Sequence, residues 1–242
     1  MILHIPHASK EIPFLDGYQL PLQQLQEEMH LLTDHYTDEL FRREDAAIIQ
    51  SPCSRIFCDM ERFEDDAHEP MSRFGMGVLY TSTDSDEHMR EVNEQLRERL
   101  LEGYYRPHHR RFASAVDAEL RATGKALIVD CHSYPNQPLQ RDIEKRLPRP
   151  DFNIGTDSFH TSKALIDRAT EFFGDSGYSL GVDWPYVGSI VPMAHYRKDQ
   201  RVQSIMLEVN RRLYMDERSG EKLPLFESIR EVVQEFLRAI EI

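Results

Sequence analysis

Short aliphatic runs alternate along this chain with longer stretches whose apolar residues recur every three or four positions. The runs at Ile2 to Ile5, Ala46 to Gln50, Arg55 to Met60, Gly77 to Tyr80, Ala126 to Cys131 and Ile205 to Val209 predict strands. Helical spacing links Leu25, Met29, Leu32, Tyr36 and Leu40. It returns at Met89, Val92, Leu96 and Leu100, and at Phe112, Val116 and Leu120. The clearest stripe is the last, through Phe226, Ile229, Val233, Phe236, Leu237 and Ile240. Strands alternating with helices of this length predict an α/β fold. Its sheet is mostly parallel, with some antiparallel pairs allowed, and helices cover both faces.

Residues 133–162 break this rhythm. Pro135, Pro138, Pro148 and Pro150 punctuate charged sequence before "NIGTDSFHTS", which predicts a long functional loop or rim. The chain has 242 residues, 40% hydrophobic and 29% charged, enough for one domain spanning 1–242 with its own core. A formal net charge of −13 argues against nucleic-acid or anionic-membrane partners, because phosphate binding requires clustered positive charge. Three cysteines form no even framework, and no apolar run has the length of a membrane span. With no export signal at the N-terminus, the expected location is the cytoplasm. The oligomeric state is left open.

Two strands end in the same way: "LHIPH" on His7 and "ALIVDCHS" on His132. Carboxyl ends of parallel strands form the edge where ligands bind, so the two imidazoles can meet there across 125 residues of sequence. Two histidines and a carboxylate make an open metal site with room for water. "TDHYTDELF" offers Asp34 and Asp38, expected on one face of the first helix, and Asp34 is favoured. His4 lies across the strand from its neighbours and reads as a core histidine or a support behind the site. His108 and His109 follow Pro107, expected to interrupt a helix; they line a pocket or face solvent. Glu208 sits inside the apolar strand of "SIMLEVNRR", where a carboxylate must be paired or protonated. It is either a general base with a raised pKa or the partner of Arg211 or Arg212. Arg55 and Arg62, in "SRIFCDMERF", suit a bidentate grip on a substrate carboxylate.

These segments, "HIPHAS", "TDHYTDELF", "SRIFCDMERF", "YYRPHH", "LIVDCHS", "NIGTD", "PYVGSIVP" and "LEVNRRLYM", occur in the order found in the N-formylglutamate amidohydrolase family. The chain resembles that family from about residue 3 to about residue 217. The resemblance implies a fold like the zinc carboxypeptidases and acyl-amino-acid deacylases. It implies hydrolysis of N-formyl-L-glutamate to formate and L-glutamate, a step of histidine breakdown. It also implies a Zn²⁺ ion held by His7, Asp34 and His132, Glu208 as the catalytic carboxylate, and Arg55 on the substrate carboxylate. Arg62, Tyr186, His109 and Asp157 complete the expected pocket for a small anionic N-acyl amino acid.

The chain departs from the family pattern at two places. Glu61 stands where many members have Asn, and Gly188 and Ser189 stand where many have two glycines. Both bear on substrate choice, so a deacylase or carboxypeptidase-like hydrolase acting on another N-acyl amino acid or small peptide is the second expectation. A binding protein that kept the scaffold without turnover is the third.

Overall fold

The computed structural model describes residues 1–241. Six strands, β1 (Ile2–Ile5), β2 (Ala47–Gln50), β3 (Ala126–Tyr134), β4 (Phe152–Gly155), β5 (Leu180–Val182) and β6 (Val202–Asn210), form one sheet in the order β2-β1-β3-β6-β4-β5. β1, β2, β3 and β6 run parallel, and β4 joins β6 antiparallel. The sheet is therefore mixed, with helices on both faces, as the pattern predicts.

Residue parity divides the two faces. Odd positions of β1, β3 and β6, such as Leu3, Val129, Cys131, Ile205 and Leu207, join one large core. That core is completed by the short helix α2 (Thr37–Leu40), by α5 (Lys163–Ser176) and by α6 (Phe226–Ala239). Even positions Ile2, Ile128 and Val202 pack on the opposite side against Phe112 and Val116 of α4 (Arg106–Thr123). Period-two alternation in the central strands thus sends each parity to a different helix layer.

Local chemistry explains the helix limits. α5 starts at Ser162, whose Oγ accepts from Leu165 N, and α3 (Glu94–Leu100) starts at Asn93, whose side chain accepts from Leu96 N. α4 stops at Gly124 (φ 78°), in the left-handed region that glycine enters at little cost. Pro107 does not interrupt the helix. α3 runs through a π turn at Leu101–Tyr105 into α4, and that wider turn leaves space for the ring.

Two expected strands are absent. Arg55 to Met60 and Gly77 to Tyr80 are turns that touch through Asp59 N donating to Val78 O at 2.8 Å. Their apolar residues are buried, with Phe57, Cys58, Met60, Val78 and Leu79 forming a second core against Leu96 and Leu100. The apolar runs report burial without a ladder. Conversely, β4 and β5 fall where the pattern gives no strand; they are only four and three residues long, and β4 lies inside the expected 133–162 loop. Among the described residues, no helix is long and apolar enough to cross a membrane.

Candidate active site

The even face of the sheet carries the polar residues. Parallel register sets His4 beside Asp130 and His132 beside Glu208, so these side chains share one side near the carboxyl ends of β1, β3 and β6. His7 follows β1 past Pro6, and the backbone there receives the next contributor: Asp34 N donates to His7 O at 3.0 Å. Asp34 does not share a helix with Asp38. α1 (Leu22–Leu32) ends before it, and α2 begins after Tyr36, which sits at φ 64°. The apolar spacing runs through both helices and hides the turn between them. Asp38 is directed elsewhere, into a shallow depression with Ser9, Arg42 and Gln50. Glu11 is exposed and outside the cavity.

His7, Asp34 and His132 are buried and offer donor atoms within 4.8 Å of one another. His132 Nδ1 donates to Asp34 Oδ2 at 2.9 Å, and His7 Nδ1 lies 3.6 Å from the same oxygen. Arg211 holds the other oxygen, Asp34 Oδ1, at 3.0 Å while also reaching Leu31 O and Ser133. Behind His7, its Nε2 donates to Asp59 Oδ1 at 2.8 Å; Asp59 also accepts from Tyr80, Arg55 and Glu61 N. Behind His132, Asp130 accepts from His4 Nδ1 at 2.9 Å, and His4 Nε2 meets His108 Nε2 at 3.0 Å. His4 therefore supports the site from beneath.

The charges explain the protonation states. Burial pushes the Asp34 carboxyl up, but the hydrogen bonds and charges of His132 and His7 outweigh it and hold it well below the usual range. Asp59 is likewise held down against burial by His7, Arg55 and Arg62. Burial lowers His132, yet Glu61, Asp130 and Asp34 around it raise it well above an ordinary imidazole. Glu208 is pushed up to about 8, chiefly by burial; the charges of Asp34 and Glu61 add to the rise, and those of His132 and Arg211 oppose it. Neither Arg211 nor Arg212 pairs with Glu208: Arg211 holds Asp34, and Arg212 holds Asp151. Glu208 Oε2 is buried without a hydrogen-bond partner.

A profile of the N-formylglutamate amidohydrolase family matches residues 1–215. The chain belongs to the N-formylglutamate amidohydrolase family. It is 27% identical, over 99% of its length and 92% of the relative's, to N-formylglutamate deformylase of Pseudomonas aeruginosa. The Pseudomonas putida N-formylglutamate deformylase is 24% identical over 90% of this chain and 82% of its own. In fold, the chain is similar to the crystal structure of N-formylglutamate amidohydrolase from Ralstonia eutropha JMP134. There the TM-score is 0.84 at 21% identity, covering 99% of this chain and 91% of that one. A protein of Agrobacterium tumefaciens is similar at TM-score 0.66 and 19% identity, covering 100% and 91%.

In this member of the amidohydrolase family, the residues fit a divalent cation. His7 Nδ1 and His132 Nε2 are buried and make no hydrogen bond, so each has a lone pair or proton without a protein partner. Two imidazoles and a carboxylate are the donor set of an open zinc site. The other nitrogen of His7 is held by Asp59, that of His132 by Asp34 Oδ2, and the other oxygen of Asp34 by Arg211, the kind of support that orients metal ligands.

The family cavity opens over this cluster with a volume of about 580 Å³. His7, Asp34, His132, Glu208, Arg55, Arg62, Tyr186, His109 and Asp157 all line it. Arg55 sits 3.3 Å from Asp59 Oδ2, and Arg62 donates to Met76 O at 3.2 Å and lies 3.7 Å from Asp59. His109 packs tilted against Tyr105, and burial lowers it to about 4, so it is neutral at physiological pH. Tyr186 donates its hydroxyl to Asp142 at 3.0 Å. Asp157 is committed locally, accepting from Phe159 N and His160 N.

One wall is the segment 185–191. A Cβ on Gly155 would come within 2.3 Å of Gly188 O, so glycine in β4 is what lets this wall lie against the sheet. Ser189 pins it through Ser204 at 2.5 Å, and Ile190 N donates to Asp130 Oδ2 at 3.1 Å. Asp59 and Asp130 join the site without being among the expected site residues, and Glu61, expected only to bear on substrate choice, lies against the imidazoles. For Asp130 a signal existed: a residue two positions before His132 on one strand shares its face.

Proposed function

We propose that this chain is a cation-dependent hydrolase that cleaves the N-formyl amide of N-formyl-L-glutamate to formate and L-glutamate. The observation that carries the reading is the convergence of His7, Asp34 and His132 beside the unpartnered carboxylate of Glu208, in a chain of this family. His7, His132 and Asp34 would hold the cation, with Zn²⁺ favoured by the nitrogen-rich donor set. When bound, it would supply Lewis acidity, polarising a carbonyl and making water more acidic.

The chain's own residues then have separate roles. Glu208 takes a proton from water as its oxygen bonds to the formyl carbon, and returns that proton to the amine nitrogen as the C–N bond breaks. Arg55 and Arg62 orient the substrate carboxylate from the cavity wall, with Tyr186, His109 and Asp157 shaping the rest. Arg211 and Asp59 keep Asp34 and His7 in place, so orientation is built into the fold before substrate arrives. One catalytic unit over 1–242, acting in the cytoplasm on a small anionic substrate, is the simplest form of this proposal.

Cation content and turnover test it together. Purified protein should carry about one equivalent of zinc for a mononuclear site. His132→Ala should lose both the ion and formate release from N-formylglutamate. A cation-free wild type whose Glu208→Gln variant turns over normally would overturn the mechanism.

A second reading rests on the cavity rim. Phe63, Ile143, Val187 and Met193 line the cavity and are all exposed, an apolar border that a dianion such as N-formylglutamate does not match. It favours a larger N-acyl amino acid. Parallel assays on formyl-, acetyl- and succinyl-glutamate distinguish the two, since a flat profile sinks the formyl preference.

A further inference from the structure

Five carboxylates surround the two imidazoles, and they differ in one respect. Asp34, Asp59 and Asp130 each accept hydrogen bonds from at least two donors, so their oxygens are fixed. Glu208 and Glu61 accept none from the described residues. Glu61 sits at the turn after Asp59, and its backbone N–H donates to Asp59 Oδ1 at 2.9 Å, which aims the side chain across both rings. Glu61 Oε1 lies 3.1 Å from His132 Nε2, and Glu61 Oε2 lies 3.8 Å from His7 Nε2. His132 Nε2 is the buried nitrogen that makes no aligned hydrogen bond, in spite of these close oxygens. Glu61 thus meets the free nitrogen of His132 without the alignment of a donor facing its acceptor, while on the His7 side it faces the nitrogen that Asp59 already holds.

We propose that Glu61 is a further donor to the cation, so that the resting site closes on two imidazoles and two carboxylates and opens when substrate displaces Glu61. The inference rests on the cation reading above and adds Glu61 to it. Charge supports the arrangement. Arg211 already pairs with Asp34, and Arg55 and Arg62 face Asp59, whereas among the described residues Glu61 pairs with no arginine or lysine and keeps its charge for a cation. Burial supports it too: the Glu61 side chain is 17% exposed, against 3% for Asp34. Glu61 is therefore the carboxylate with access to the cavity mouth and freedom to leave. An incoming anionic substrate then competes with an internal carboxylate for the same position, which makes Glu61 a determinant of which anions the site admits.

The test uses full-length protein stripped of metal and titrated with Zn²⁺ against a chromophoric chelator, then with Co²⁺ while the visible spectrum is read. Glu61→Gln should still bind about one equivalent, with affinity about 10-fold or more weaker, and its cobalt bands should shift. Glu61→Asp, one methylene shorter, should fall between the two, which separates a donor role from a fault in folding. Acetate should bind to the Glu61→Gln cobalt protein at lower concentration than to wild type. Affinity within about twofold of wild type, with an unchanged cobalt spectrum, overturns the proposal and leaves the hydrolase reading intact. A wild type that takes up no cation overturns both.

Discussion

Replacing Glu28 with Gln should stabilise the protein at pH 8 and change it little at pH 5. Glu28 lies on the buried side of α1, where its Oε1 accepts from Asp84 N at 2.7 Å. Asp84 in turn receives Gln140 N and Arg141 N, so the contact links α1 to the segment 139–144 at the cavity rim. Burial raises the Glu28 carboxyl from 4.5 to about 7, with the nearby Asp84 charge adding to it while Asp84 N–H and Arg141 oppose it. A carboxyl whose folded pKa is raised favours folding most below its unfolded pKa, and that advantage is lost as pH rises through the folded value. The window is therefore about pH 4.5 to 7, with the ionised form at a disadvantage above it. At 1.36 kcal/mol per unit the shift sets a ceiling of about 3 kcal/mol, and partial hydration of the carboxylate brings the expectation to about 1–2 kcal/mol. Gln keeps the acceptor for Asp84 N and removes the charge. Urea denaturation at pH 5 and pH 8 reads the difference directly. At pH 8 the melting temperature should rise by about 2–4 °C per kcal/mol for a chain of this size. An equal effect at both pH values, or a less stable variant at pH 8, refutes the reasoning.

Glu208→Gln should keep its cation while formate release falls by about 10²- to 10⁴-fold, the range of a lost general base, as read by metal analysis beside steady-state kinetics. Arg211→Met leaves Asp34 buried without its cation partner; stability should fall by about 3–5 kcal/mol in denaturant melts, unless a bound metal compensates. Cation uptake should weaken as pH falls and release protons to the buffer, because the carboxylates around His132 favour its protonated form before a cation binds; calorimetry in two buffers of different ionisation enthalpy measures this. Phe236→Ala should cost about 3–5 kcal/mol by opening the core between α5 and α6, checked by urea melts.

How much of this was readable in the chain depends on whether one strand or several had to be known. His7 and His132 are legible because each follows an aliphatic run, and a parallel sheet gathers such ends on one edge. Glu208 is legible as a charge inside an apolar strand, although its lack of an arginine partner is not. Asp34 was found by residue type, but on the wrong element, since helical spacing continues across a turn that only Tyr36's left-handed backbone reveals. Segment 55–60 misled because buried apolar residues in turns look like a strand when no ladder partner is known. Asp59 stays hidden for the same reason, and Glu61 is legible only as a departure from the family pattern: a strand sends both to a shared face, whereas the turn directs one beneath His7 and the other toward His132. β4 was missed because four residues offer too little pattern, yet its Gly155 shapes the wall.

The division of the central strands by parity has a practical meaning for anyone redesigning the molecule. Positions 4, 130, 132, 206 and 208 address the cavity side, while 3, 127, 129, 131, 205 and 207 address the layer under α5 and α6. Substitutions confined to the first set act on the chemistry without loosening the large core, and libraries confined to the second tune robustness without touching the chemistry. Combining winners should be close to additive where the two sets share no contacts. A single-residue deletion early in β3 has the opposite character, because it exchanges the two sets in one step and places ionisable groups in oil and aliphatic ones at the cavity floor.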